Sequence, residues 1–194
     1  IDGFLIEYFI NPKRKILSYF EQELENYHMS TTMIFVNGQI LYDKDGSIEE
    51  LKIIANKNAN LSTLSPINEF KYKMNCYRVW DCFDELTSKY NKQVDIDFSY
   101  YIFLQNIIES YFYNKQIPSI PLNKVEQIFT NEVYRKKYNI KKIPNPEFIA
   151  KVLKCFQEKD YDLKFTNAKD LYDYFLTQFP DFAIHNLKIR SSAE

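Results

Sequence analysis

The side chains placed to do chemistry are mostly acids. Glu7 lies inside FLIEYFI, residues 4–10, among Phe4, Leu5, Ile6, Tyr8 and Phe9. A carboxylate in such a run is hard to desolvate unless it is paired, hydrogen-bonded or bound to a metal. Glu7 therefore sits either at a strand end in water or opposite something cationic. A second acidic pattern is Asp95 and Asp97 in VDIDF. Two alternating carboxylates can share a divalent ion, but this pair runs straight into a long helical pattern with no Gly-Ser turn before it. Asp97 reads as a helix N-cap and Asp95 as a solvated loop acid. Gln105, Asn106, Glu109 and Ser110 form a narrow polar stripe at helical spacing, either ligand contacts or the exposed edge of the helix. Asp43-Lys44-Asp45-Gly46 has the flavour of a calcium loop but lacks the later ligand positions, so it reads as a turn. Arg135, Lys136, Lys137, Lys141 and Lys142, with Tyr134 and Tyr138 interleaved, could touch phosphates; the balanced charge of the chain favours a solvated face. His28 and His185 have no Ser or Cys nucleophile signature beside them, and neither has the upstream Arg of an Arg-x(4–6)-His ribonuclease motif.

The elements that must position these groups change character along the chain. Residues 4–10 are rich in β-formers and end at Asn11-Pro12, where proline lacks an N–H and can enter the first turn of a helix. Ile16, Leu17, Phe20, Leu24 and Tyr27 then share a helical face. A short helix capped by Ser30 or Thr31 closes at Asn37-Gly38, and residues 39–42 read as a second strand. Ser47 and Glu50 make a capping box for a helix to about Lys57. Beyond residue 60 the period is helical. Ser65-Pro66 opens a helix with Ile67, Phe70, Met74, Tyr77, Trp80 and Phe83 on its buried face. Residues 97–113 are apolar nearly all round, which predicts the central helix of a bundle. Shorter helices follow at 123–130 and 131–138, one opens at Asn145-Pro146, and the last spans about 167–179. The expectation is an α+β chain, mostly α: residues 1–60 a partial α/β domain and residues 61–194 a helical domain. Two strands are marginal alone, so they look like part of a larger sheet.

The strand with its apolar–Glu–apolar text, Asn-Pro and helix, followed by STTMIFVNGQILYDKDGSIEEL, resembles the second half of the catalytic domain of bacterial nucleotidyltransferases in the polymerase-beta-like superfamily. More closely, it resembles nucleotidyltransferase-domain proteins with a helical C-terminal half, distant relatives of the aminoglycoside- and lincosamide-modifying enzymes. SYYIFLQNIIESYFYNKQIPSIPLNKVEQIF, YRKKYN and FAIHNLKIRSS extend the resemblance over most of the chain. It implies transfer of a nucleoside monophosphate from a nucleoside triphosphate to a hydroxyl of a small acceptor. Two carboxylates of an Asp-x-Asp pair hold Mg²⁺, and a third completes the metal site or takes the acceptor proton. Glu7 matches the third, as catalytic and metal-binding residue. Asn106 and Glu109 become acceptor contacts. The Gly-Ser turn and the Asp-x-Asp pair belong upstream of Glu7, where this chain carries six residues beginning with Ile rather than Met. One carboxylate cannot hold a two-metal site. The chain is therefore expected to be a portion, or a degenerate member, that binds nucleotide poorly and does not turn over as it stands. The alternative reading is a non-catalytic helical module that binds a protein partner.

Bulk properties bound both readings. Hydrophobic residues make up 45% and charged residues 26%, the balance of a soluble globular protein, and with no apolar run of transmembrane length the expectation is a cytoplasmic protein without a membrane partner. The net charge of −1 provides no global field to recruit nucleic acid, which argues against such a partner. Three cysteines, Cys76, Cys82 and Cys155, have no metal-ligand spacing and read as reduced thiols. Oligomeric state is not encoded in any pattern here.

Overall fold

The computed structural model describes residues 9–59 and 66–184. The chain divides into two compact units, residues 1–65 and 66–194. The described residues are mostly α-helical and contain no strand. No described helix is long and apolar enough to cross a membrane.

The first unit contains α1 (Lys13–Asn26), α2 (Ser30–Asn37) and α3 (Ser47–Asn58). Ile16, Phe20, Leu51 and Ala55 form its core, with Phe35 edge-on to Phe20 at 5.5 Å between ring centroids. Glu23 joins Ile16 and Phe20 on the buried face of α1, and its position explains how α2 begins. The Glu23 carboxylate accepts from the N–H groups of Thr31 and of Thr32, the latter at 2.9 Å. An acid from α1 thus satisfies orphan donors of α2 and meets the positive end of its dipole. The expected cap by Ser30 or Thr31 is not made: Met29 occupies the N-cap position and no side chain there caps the helix. At the other end Gly38 N–H closes on Ile34 O at 2.8 Å. A Cβ on Gly38 would lie 2.6 Å from that oxygen, so only glycine lets the chain leave here.

Residues 39–42 are described but form no strand, because no partner strand lies beside them among the described residues. Residues 4–8 of the other expected strand lie outside the described residues. The expected Ser47–Glu50 capping box is also replaced. Asp43 Oδ2 accepts from the N–H groups of Ile48 (3.0 Å) and Glu49 (2.9 Å), and Asp45 accepts from Ser47 N–H at 3.1 Å. Glu50 instead pairs with Lys13 of α1. The Asp-rich turn is a helix cap made by Asp43 Oδ2 and Asp45, while Asp43 Oδ1 is buried without a hydrogen-bond partner among the described residues.

The second unit contains α4 (Glu69–Asn91), α5 (Asp97–Asn114), a 3-10 turn (Leu122–Lys124) running into α6 (Val125–Thr130), α7 (Glu132–Lys137), α8 (Pro146–Gln157) and α9 (Tyr161–Gln178). As the all-round apolar text predicts, α5 is central: Phe103, Leu104, Ile107, Ile108, Tyr111 and Phe112 are all buried. It packs against α4, α8 and α9. Asn145 caps α8 by accepting from Phe148 N–H at 3.0 Å, with Pro146 in the first turn. Three details depart from the sequence reading. First, α4 starts at Glu69, capped by Asn68 rather than at Ser65-Pro66. Second, its inward face is Cys76, Val79 and Leu86 flanked by Tyr72, Phe83 and Tyr90, while Phe70 is 59% exposed. Of the expected stripe, Trp80 and Phe83 still pack against the core, while Cys76, Val79 and Leu86 take the fully buried positions. Third, α9 begins six residues early, because Asp160 accepts from Leu163 N–H at 3.0 Å and caps it. Between α4 and α9, Phe83 stacks on Tyr172 (4.2 Å) and Tyr90 on Phe165 (3.9 Å), a ladder that uses much of the aromatic content.

Candidate functional site

In the second unit, the polar stripe of α5 meets α4 in a hydrogen-bonded seam. Asn75 and Cys76 on α4 face Ser110 and Asn114 on α5. Asn75 Nδ2 donates to Asn114 Oδ1 at 3.2 Å, and Asn114 Nδ2 donates to Cys76 Sγ at 3.3 Å. Asn75, Ser110 and Asn114 are buried, so the amides must satisfy each other. One turn on, Arg78 Nη2 donates to Asn75 Oδ1 and to Ser110 Oγ, both at 3.3 Å. Arg78 also lies 3.9 Å from Glu109 Oε2, while Gln105 Nε2 donates to Glu109 Oε1 at 3.0 Å.

This seam has a dry end and a wet end. The Arg78 and Glu109 side chains are 43% and 41% exposed, so their ion pair contributes less than about 1 kcal/mol. At the wet end Arg78 keeps the Nε and Nη1 donors of its fork without a protein partner among the described residues, next to a carboxylate acceptor. That arrangement can hold a polar or polyhydroxyl group by donor and acceptor together. Burial pushes the Cys76 thiol up to about 12, and Cys155, on α8, up to about 11. Cys82 is also raised, chiefly by burial. Burial thus disfavours the thiolate form at all three.

The structure treats the sequence candidates unequally. Glu109 joins the seam. Asn106 does not: its Nδ2 donates to Ile102 O at 2.8 Å, within its own helix. Glu7 and His185 lie outside the described residues. Asp97 Oδ1 pairs with Lys164 Nζ at 2.6 Å, and Asp97 N–H donates to Asp95 Oδ1 at 2.7 Å. Asp97 is the first residue of α5 rather than its cap, and the cap-like bond comes from Asp95. Among the described residues no group of three or more His, Cys, Asp or Glu could hold a metal ion. Arg78, Asn75 and Asn114 were not singled out in the sequence. Asn75 and Arg78 belong to the face of α4 that the sequence reading turned away from the core.

No family model, curated protein or solved structure matches this chain.

The first unit carries a feature of another kind. Ile34, Phe35, Gly38, Leu41, Ile48 and Lys52 help to line an apolar cleft of about 410 Å³. Lys52 Nζ donates to Gly38 O at 2.7 Å and holds the chain leaving α2 against α3. Leu41 and Tyr42, at 89% and 74%, are the most exposed large apolar side chains around it.

Proposed function

We propose that this chain belongs to an enzyme that transfers a nucleoside monophosphate from a nucleoside triphosphate to a hydroxyl on a small acceptor. The observation that carries the proposal is the acid in FLIEYFI, followed by Asn-Pro, α1 and the STTMIFVNGQILYDKDGSIEEL text over α2 and the start of α3. In the enzymes this text resembles, that acid is the third metal-site carboxylate. Glu7 would complete a Mg²⁺ site with an Asp-x-Asp pair from residues outside this chain, or accept the acceptor's proton. Mg²⁺ held there would neutralise the charge that builds on phosphate oxygens. Within the second unit taken by itself, the resemblance makes Glu109, beside Arg78, the candidate polar pair for a hydroxyl-bearing ligand. Arg78 contributes directional donors and Glu109 accepts from a hydroxyl. Asn106 Nδ2 bonds Ile102 O, one turn back in its own helix. The fold class completes the proposal: α1–α3 would flank a sheet whose strands include residues 4–10.

The experiment is calorimetric titration of ATP with Mg²⁺ into this chain and into a chain extended upstream through the native gene. Saturable heat from the extended chain is expected, with little or none from residues 1–194. No heat from either refutes the proposal.

A second reading is a non-catalytic helical module that binds a protein partner. The exposed apolar cleft of the first unit favours it. It gains if the gene upstream encodes neither a Gly-Ser turn nor an Asp-x-Asp pair.

A further inference from the structure

Five of the eight residues 135–142 are Lys or Arg, and no acid occurs between Glu132 and Glu147. The net charge of −1 gives the whole chain no long-range field, but its cations are not evenly spread. The fold holds this group in place. Arg135 turns inward, its Nη1 donating to Ile128 O at 2.7 Å and Phe129 O at 3.1 Å, the carbonyls near the end of α6. Asn139 adopts the left-handed conformation (φ 53°), and Ile140 N–H closes on Arg135 O at 2.9 Å. The chain therefore reverses at the end of α7, and buried Ile143 anchors the far side. Lys142 is brought back toward α7. Glu132 sits below the usual carboxylate range, first because Lys136 bonds it and then through the charges of Lys136, Arg135 and Lys142. Lys136, Lys137, Lys141 and Lys142 are all exposed, and only Lys136 is taken by Glu132, at 2.7 Å. Tyr134 and Tyr138 lie 4.7 Å apart between centroids, with Lys137 Nζ 5.2 Å from the Tyr138 ring.

We propose that residues 134–142 are a docking surface for the phosphate backbone of a single-stranded nucleic acid, with Lys137, Lys141 and Lys142 on phosphates and Tyr138 under an unstacked base. Rotatable ammonium groups suit a flexible phosphate chain, and an exposed ring beside them is the platform a single strand offers bases to. The inference does not rest on nucleotidyl transfer.

The test is fluorescence anisotropy of a labelled oligo-uridine 20-mer with the full chain, across 50 to 200 mM salt. Three phosphate contacts predict a log–log slope of about −2, or about 16-fold weaker binding at the higher salt. Lys141→Ala with Lys142→Ala should bring the slope to about −0.7 and weaken binding at 50 mM salt at least about tenfold. Tyr138→Ala should weaken binding about fivefold or more without moving the slope. Circular dichroism of each variant should match the parent, because Lys141 and Lys142 are exposed and Tyr138 lies outside the buried core. No binding up to 100 µM protein at 50 mM salt overturns the proposal. So does an unchanged slope in the double variant, or an unaffected Tyr138→Ala accompanied by equal binding to phosphatidylserine vesicles.

Discussion

Replacing Asn145 with alanine removes two roles from one side chain. Its Oδ1 caps α8 through Phe148 N–H at 3.0 Å. Its Nδ2 donates to the Tyr111 hydroxyl at 2.7 Å, and the Tyr174 hydroxyl lies within bonding distance of both amide atoms, at 2.8 and 3.0 Å. Losing an N-cap costs about 1 kcal/mol. Leaving a buried hydroxyl without its partner costs a further ~1–3 kcal/mol, and Tyr111 is buried, stacked on Phe148 with 3.6 Å between centroids. Asn145→Ala should therefore destabilise the second unit by about 2–4 kcal/mol. Asn145→Asp keeps the capping oxygen and can accept from the Tyr111 O–H, so its loss should stay below about 1 kcal/mol. Urea unfolding followed by the fluorescence of Trp80, the sole tryptophan, reads this unit because Trp80 packs on the same core. With a urea slope of about 2 kcal/mol/M, the alanine variant should lose about 1–2 M in midpoint. A loss below about 0.5 kcal/mol, or an aspartate variant as damaged as the alanine one, would refute the two-role argument.

Glu23→Ala should lower the thermal midpoint in circular dichroism, because the N–H groups of Thr31 and Thr32 lose their acceptor; the expected loss is about 1–2 kcal/mol, and Glu23→Gln should recover part of it. Thr32→Val should be neutral or stabilising by the same measurement, since the buried Thr32 Oγ1 has no hydrogen-bond partner among the described residues. Alkaline pH should destabilise the second unit. Cys76 and Cys155 are raised to about 12 and about 11 by burial, so above the ordinary thiol range the unfolded chain releases protons that the folded chain retains. Their contribution is intact below about pH 8.5 and is lost progressively as pH rises toward 11–12, visible as a falling urea midpoint.

Where a single local rule governed an element, the sequence revealed it. Residues 97–113 have no polar face wide enough for solvent, so α5 had to be central. Asn145-Pro146 pairs an N-cap with a first-turn proline, and α8 starts there. What failed depended on groups distant in sequence. Glu23 caps a helix eight residues away, and Asp43 caps α3 from outside the Ser47–Glu50 box, because each bond exists only after the chain turns. Among residues 67–90, Trp80 and Phe83 of the expected stripe still pack against the core, but Cys76, Val79 and Leu86 take the fully buried positions. That packing brings Asn75 and Arg78 to α5. Asn106 shows a bond that is local: a polar side chain in a helix can donate to the carbonyl four residues back.

The central claim is that the Glu7 carboxylate meets a divalent ion at a nucleotide phosphate. Electron paramagnetic resonance of Mn²⁺ with ATP, in the upstream-extended chain and its Glu7→Gln variant, addresses it most directly. The account predicts protein-bound Mn²⁺ in the parent and at least about tenfold weaker binding in the variant. Equal Mn²⁺ binding by the two, or none by the parent, would contradict it.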